Sequence, residues 1–291
     1  MRARVALATY AGAPNLAPDD QPLIDALAVH SVAAEAVVWS DPRSEWQNFD
    51  AVIVRSCWDY HLQCDAFFAW LGQLDALGIS VWNPTALIRW NANKRYLLDL
   101  EAQGVPTVQT RIVPATATAA DIEAIVAEHG WKRVVIKPAV SASGHETYAL
   151  RVPFDDASGA DIGRALAHGP VLVQPFADEV PRDGELSFTF IDGVFSHATR
   201  KRAMHGEFRV QTEHGGSVES TTVSPSASRA ARAVLDALPE IPLYARVDGI
   251  LRDGAFLLME LELIEPNLFL AYAPGAVDRF ARAIAQRVAA R

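Results

Sequence analysis

The stretch Tyr244–Leu270, YARVDGILRDGAFLLMELELIEPNLFL, restricts the fold more than any other part of the chain. Two apolar runs flank Asp253-Gly254, a dipeptide that tolerates the positive φ of a type I′ turn, so the chain is predicted to fold back here as a β-hairpin. Side chains alternate across a strand, which puts Asp248 on the face of Arg246 and puts Glu260 and Glu262 together on the return strand. Three carboxylates can therefore converge on one side of the hairpin. Neighbouring carboxylates on strands this apolar need a partner, because an unpaired buried charge is very costly. A divalent cation is the simplest one: Mg²⁺ takes a few carboxylates, with phosphate oxygens completing its octahedron. A solvated edge face carrying Asp248, Glu260 and Glu262 is the plain alternative.

At 291 residues the chain exceeds one typical domain, and two or three subdomains are expected. A net charge of −9 argues against a nucleic-acid footprint, which needs a basic face. No apolar run approaches the roughly 20 residues of a membrane span. Cys57 and Cys64 fit no common zinc spacing, and with no signal peptide evident the expected setting is a reducing cytoplasm.

Residues 1–90 alternate short apolar runs (Val5–Thr9, Val37–Trp39, Ala51–Arg55, Ile79–Trp82) with helical spacing over Phe67–Leu77, a pattern that implies a parallel α/β sheet. Ligands sit past the carboxyl ends of such strands, where Ser56–His61 offers polar groups. Arg55, Trp58, Asp59 and Tyr60 combine a cation, two aromatic surfaces and an anion in one turn; a loop whose aromatics cap the sheet explains them equally well. Asn91 is expected to open a helix that closes at Gly104 ahead of Pro106. That leaves Lys94 near a helix N-terminus, where the dipole favours anions. Lys94 either meets an anionic ligand or lies solvated over apolar surface. Thr118 and Asp121 form a capping box for the next helix. Val134–Pro138 is a buried strand ending in Lys137, followed by the small-residue loop Ala139–Thr147. Its Ser141, Ser143 and Gly144 can close backbone N–H groups over phosphates while the ammonium neutralises them. Val171–Phe176 is another strand, Gly184–Lys201 a second hairpin around Asp192-Gly193, and helices are expected near Ser226–Leu238 and Val277–Ala290.

Taken in order, Lys94, Lys137 before a small-residue loop, Gln174-Pro175-Phe176, and Asp248 with Glu260 and Glu262 resemble the ATP-grasp ligases. Glu207-Phe208-Arg209 followed by His214-Gly215-Gly216-Ser217 resembles the glutathione synthetase and ribosomal-protein glutamate ligase branch. The strings RSCWDY, WNANKRYLLDL and ELELIEPNLF look most like the D-cycloserine synthetase group. The resemblance spans nearly the whole chain and implies an α/β fold with α+β character. It comprises an N-terminal parallel domain over 1–90, a central lid subdomain over 91–180 and a C-terminal antiparallel-sheet subdomain over 181–291, with ATP between the last two.

The resemblance further implies that Lys94 and Lys137 contact ATP phosphates under the Ser141–Gly144 loop and that the backbone at Gln174 and Phe176 holds adenine. Glu185, ahead of Asp183, takes the ribose. Asp248, Glu260 and Glu262 hold Mg²⁺, two ions, with Mn²⁺ a possible substitute. Glu262 stands where the commoner pattern has Asn, which adds negative charge and leaves the ion number open. Arg209, with Lys201 nearby, orients the substrate carboxylate and stabilises the transferring phosphoryl group. Glu265 and Asn267 touch the acceptor, and Arg55, Trp58, Asp59 and Tyr60 contact the substrate.

The implied chemistry activates a small-molecule carboxylate as an acyl phosphate, which a nitrogen nucleophile then attacks. For the D-cycloserine synthetase group that nitrogen belongs to the same molecule, O-ureido-D-serine, and attack closes a five-membered ring. The alternatives are an intermolecular carboxylate–amine ligase acting on an amino acid or peptide, and a nucleotide-binding sensor without turnover. Neither nucleic acid nor membrane is expected as a partner, and a homo-oligomer is compatible with the reading.

Overall fold

The structure, a computed structural model, describes residues 2–290. Strands β1 (Ala3–Thr9), β2 (Val32–Val38), β3 (Ala51–Ser56) and β4 (Ser80–Trp82) form the expected parallel sheet, in the order β2-β1-β3-β4. The runs in β1 and β3 are apolar on both faces because both faces are covered. Helix α1 (Pro22–Val29) packs Leu23 and Leu27 against Val5, Leu7 and Ile53 on one side. Helix α2 (Cys64–Ala76) packs Phe67, Trp70 and Leu71 against Ala6, Val52 and Val54 on the other.

Two short helices, α3 (Thr85–Asn91) and α4 (Tyr96–Ala102), replace the single helix expected from Asn91. Asn91 ends α3 rather than opening α4. Its amide donates to the Leu261 carbonyl at 2.8 Å and accepts from the Leu263 N–H at 2.9 Å, as a strand neighbour would. Lys94 consequently lies in the turn ahead of α4, with its N–H on the Ala139 carbonyl at 2.8 Å. That backbone tether, to the residue just past β6, helps to fix where this ammonium stands.

The central sheet has the order β5-β8-β6-β7 and is antiparallel, built from β5 (Arg111–Val113), β6 (Arg133–Pro138), β7 (Tyr148–Arg151) and β8 (Val171–Pro175). Helix α5 (Ala119–Glu128), opened by the Thr118–Asp121 capping box, and helix α6 (Asp156–Ala167) cover one face through Ile122, Val126 and Ile162. Alternation along β6 turns Val134 and Ile136 to that core and leaves Val135 and Lys137 on the other face, toward a cavity.

After the short α7 (Glu179–Asp183), strands β9 (Glu185–Ile191), β10 (Val194–Arg202) and β11 (Ser217–Thr221) follow. Helix α8 (Pro225–Asp236) then leads to the hairpin of β12 (Tyr244–Arg252) and β13 (Ala255–Glu262). They form an antiparallel sheet, β11-β10-β9-β12-β13. Asp253 and Gly254 take φ of 52° and 80°, the turn their identity predicted. A register shift falls at Asp248/Gly249, where a Cβ on Gly249 would meet the Leu257 carbonyl at 2.3 Å. Only glycine lets the two strands close there. Helix α8 covers one face of this sheet through Ala231, Val234 and Leu235. Helix α9 (Ala276–Ala289) returns to the first sheet, where Phe280 and Ile284 pack on Val5 and Leu7. No helix among the described residues is long and apolar enough to cross a membrane.

Candidate active site

A cavity of about 780 Å³ lies between the central and C-terminal sheets and opens toward the N-terminal one. β6 contributes Lys137, the α3–α4 turn contributes Lys94, and β13 contributes Glu260 and Glu262. Lys94 Nζ donates to Glu260 Oε1 and to the Ser141 carbonyl, both at 2.7 Å. Lys137 Nζ stands 3.8 Å from Glu260 Oε2. One carboxylate thus gathers both lysines and fastens them to the small-residue loop. Burial opposes its charge, but Lys94 and Lys137 prevail and hold the Glu260 carboxyl down at about 2.

In β12, Asp248 pairs in register with Glu260, and Arg246 with Glu262. Arg246, which drew no role from the sequence, is the hub of this floor. It donates to Asp248 Oδ1 at 3.0 Å through Nε, to Asp248 Oδ2 at 2.9 Å, to Glu262 and to the Asn267 carbonyl at 2.9 Å. Phe269 lies 5.2 Å from its guanidinium. The sequence signal was its alternation partner Asp248; what no local pattern could reveal was the return of Asn267 and Phe269 to the same place.

The acids share one face, as alternation required, but not one point. Among the described residues, the one set of three His, Cys or carboxylate ligand atoms lying within 4.8 Å of one another is elsewhere. Lysine and arginine side chains partner all three acids: Lys94 and Lys137 at Glu260, Lys201 and Arg246 at Asp248, and Arg246 at Glu262. Asp248 is 1 % exposed, lies behind the cavity wall and accepts Lys201 Nζ at 2.7 Å beside Arg246. Burial would raise its carboxyl; Arg246 and then Lys201 drive it well below the carboxylate range. Desolvation, with Asp248 and Glu260 adding to it, raises the Glu262 carboxyl to about 7 against the opposing pull of Arg246. A Mg²⁺ ion needs only one or two protein carboxylates beside substrate phosphates and water, so Glu260 and Glu262, both facing the cavity, suit that demand.

Lys201 bridges Asp248 and Glu185, the latter at 2.5 Å. Glu185 lines the cavity, whereas Asp183 is exposed and paired with Arg182. Gln174 and Phe176 also line it. The Phe176 ring is clamped by Arg133, whose guanidinium lies 3.6 Å from its centroid. The Phe176 N–H donates to the Arg133 carbonyl at 2.9 Å, because β6 still pairs with the chain just past β8, so its carbonyl is the backbone group left for the contact expected there. Ser141 Oγ donates to the Pro138 carbonyl at 3.1 Å, folding the loop back, while Ser143 and Gly144 take φ of 52° and 68°. Arg209 lies at the cavity rim, held by Glu207 at 2.7 Å, and packs over Gly144, where a Cβ would meet its Cδ at 3.3 Å.

The far end of the cavity carries Trp58, Tyr60, Glu265 and Asn267. Trp58 Nε1 donates to the Glu265 carbonyl at 3.1 Å. Burial, and then Glu262, push the Glu265 carboxyl up to about 8. Two expected substrate contacts are overturned. Arg55 is 0 % exposed and lines no part of the cavity; it donates to Asp20 at 3.0 Å and to the Pro266 carbonyl at 2.7 Å, with Tyr244 at 4.8 Å. Asp59 faces away too, its carboxylate accepting Trp39 Nε1 at 2.8 Å. Asp20 and Trp39 lie outside the Ser56–His61 turn, so the turn's own composition concealed both partners.

A parallel α/β domain followed by two antiparallel sheets, with lysines from one side of the cavity between them meeting carboxylates from the other, defines an ATP-grasp ligase. Solved structures share the fold at low identity. D-alanine–D-alanine ligase from Bacillus anthracis, complexed with ATP, superposes with a TM-score of 0.70 at 14 % identity, over 100 % of this chain and 97 % of that one. The RimK domain protein ATP-grasp from Sphaerobacter thermophilus gives 0.69 at 18 %, over 98 % of each. The crystal structure of D-cycloserine synthetase DcsG gives 0.90 at 30 % identity, over 98 % and 99 %. The cycloserine biosynthesis protein DcsG of Streptomyces lavendulae is 31 % identical over 295 residues, 98 % of either chain. Residues 5–83 match the family model described as the N-terminal domain of D-cycloserine synthetase DcsG. The chain belongs to the D-cycloserine synthetase family and is a ligase.

Proposed function

We propose that this ligase uses ATP to convert the carboxylate of O-ureido-D-serine into an acyl phosphate, which a nitrogen of the same molecule attacks to close a five-membered ring. One observation supports this reading above the others: a single cavity joins the Lys94–Lys137–Glu260 cluster, suited to phosphates, to a far end of Trp58, Tyr60 and Glu265, suited to a small polar molecule. Lys94 and Lys137 would neutralise the phosphates beneath Ser141, Ser143 and Gly144. Gln174 would take adenine with the N–H of Ala177, which makes no hydrogen bond among the described residues, while Phe176 lies against the ring and Glu185 takes the ribose. Glu260 and Glu262 would hold Mg²⁺, with Asp248 joining in exchange for one of its cations; two ions is the reading we favour, and Mn²⁺ is an admissible replacement. The ion supplies charge neutralisation for phosphoryl transfer.

Arg246, steadied by Asp248, would meet charge developing at the reacting carboxyl, with Lys201 behind it and Arg209 closing from the rim. Glu265, protonated at neutral pH, avoids repelling a carboxylate substrate and can donate to it. We also read the chain as three subdomains, 1–90, 91–180 and 181–291, working in the cytoplasm, where its two free cysteines are at home.

The test is isotopic. O-ureido-D-serine carrying ¹⁸O in its carboxylate should deliver one label per turnover to inorganic phosphate while ATP is consumed. Phosphate free of label removes the acyl-phosphate step; turnover only when a second amine is added replaces ring closure with an intermolecular ligation.

A further inference from the structure

Away from the cavity floor, the small-residue loop carries a second cluster that the ligase reaction does not use. His145 and Glu146 follow one another at its end, and His168 stands at the C-terminal cap of α6. Each offers one ligand atom, and the three atoms lie within 4.8 Å of one another. The His145 and His168 ring centroids are 5.2 Å apart, and His61 adds a third ring 5.5 Å from His145.

Three features make this more than a chance meeting of polar groups. His145 Nε2 and His61 Nδ1 are buried atoms with no hydrogen-bond partner, and such atoms ordinarily find one. The Glu146 carboxylate is aimed from outside: Tyr148 donates its hydroxyl proton to it and in turn accepts Arg164 Nε at 3.0 Å, so strand β7 and helix α6 both fix its direction. Partners of that kind orient metal ligands. Finally, the set joins two imidazole nitrogens to one carboxylate oxygen, which suits a borderline d-block ion and not Mg²⁺, a cation that prefers oxygen throughout.

We infer that His145, Glu146 and His168 form a divalent transition-metal site, best matched to Zn²⁺, which pins the Ala139–Thr147 loop to the end of α6. Bonds of 2.0–2.1 Å in a tetrahedron place ligand atoms about 3.3 Å apart, so binding draws the set inward. His168 is exposed, and closing from within 4.8 Å to that spacing asks for a movement of at most about 1.5 Å. The fourth position is left for water, and His61 stands next to His145. Because the same loop carries Ser141, Ser143 and Gly144 over the cavity, occupancy restrains the roof of the ligase site from a distance.

The full-length protein, with Mg²⁺ in large excess to satisfy the carboxylates of the cavity, is titrated with Co²⁺ and followed by the visible absorption of Co²⁺ bound to nitrogen and oxygen. One equivalent should bind, and Zn²⁺ should displace it. His168→Ala should weaken binding at least tenfold while turnover in the absence of added transition metal stays unchanged. Glu260→Gln should leave Co²⁺ binding intact. Protection of the 139–147 loop from proteolysis by Zn²⁺ should appear in the parent and vanish in His168→Ala. Absence of Co²⁺ uptake, uptake equal in His168→Ala, or uptake lost in Glu260→Gln each overturns the site.

Discussion

Glu265 shows how a single residue's surroundings set its chemistry. Its carboxyl rises to about 8 from an ordinary 4.5 because burial and the neighbouring Glu262 both penalise the anion. Between those values the native state holds a proton that the unfolded chain has released, so stability falls as pH climbs from about 4.5 to 8 and is flat beyond. Glu262, raised to about 7, works in the same direction. In metal-free buffer, Glu265→Gln should therefore match the parent's melting temperature near pH 4.5 and exceed it by several degrees at pH 8. Parallel melting curves across that range would place Glu265 in contact with water after all. At this scale the sequence was readable where a residue announces its partner locally. Lys137 ends a strand before a flexible loop, and Glu260 and Glu262 alternate, so their convergence on the cavity could be anticipated. Arg55 and Asp59 misled because their partners, Asp20 and Trp39, lie 35 and 20 residues away. Arg246 showed its neighbour Asp248 in the sequence, but not Glu262 and Asn267, which return to it from 16 and 21 residues away.

At the scale of elements, strands and hairpins were legible because period-two alternation and Asp-Gly turns are properties of adjacent residues. The helix boundary near Asn91 was not, since it is decided by a side chain that acts as a piece of strand. Asn91 satisfies one donor and one acceptor of the β13 exit, at Leu261 and Leu263, and thereby sets where the next turn carries Lys94. Asn83 does the same for β12, bonding the Leu243 N–H at 2.7 Å and the Tyr244 carbonyl at 2.9 Å. Asn91→Ala leaves two buried backbone groups without partners, which costs about 2–4 kcal/mol. Chemical denaturation should report that loss. The KM for ATP should rise alongside it, because Lys94 loses its anchor; a stability loss with unchanged ATP use would show that Lys94 is positioned by Glu260 and the Ser141 carbonyl alone.

Across the whole molecule, chain order and packing diverge at α9. The face of the first sheet bearing Val5, Leu7 and Ile53 is completed by Phe280 and Ile284, residues from the other end of the chain. Tyr244 reaches the same region, donating to the Val54 carbonyl at 2.6 Å, and Arg55 depends on the Pro266 carbonyl. The central sheet is different: the core on its helix-covered face, from Val113 to Val173, draws only on residues of its own segment, while Ala139 and Leu172 join the cluster of the C-terminal sheet. Apolar surface that loses its cover must either collapse or be solvated, and short segments rarely bury enough to offset their chain entropy. A fragment of residues 1–90 should therefore show narrow amide dispersion and no cooperative melt, while a fragment of residues 108–176 shows a dispersed spectrum and a cooperative one. Joining residues 270–290 to the first fragment through a flexible linker should restore part of its structure, because α9 supplies the missing face. A fully folded 1–90 would mean that the parallel sheet needs no closing helix, and that the C-terminal return serves only to bring Glu265 and Asn267 to the cavity.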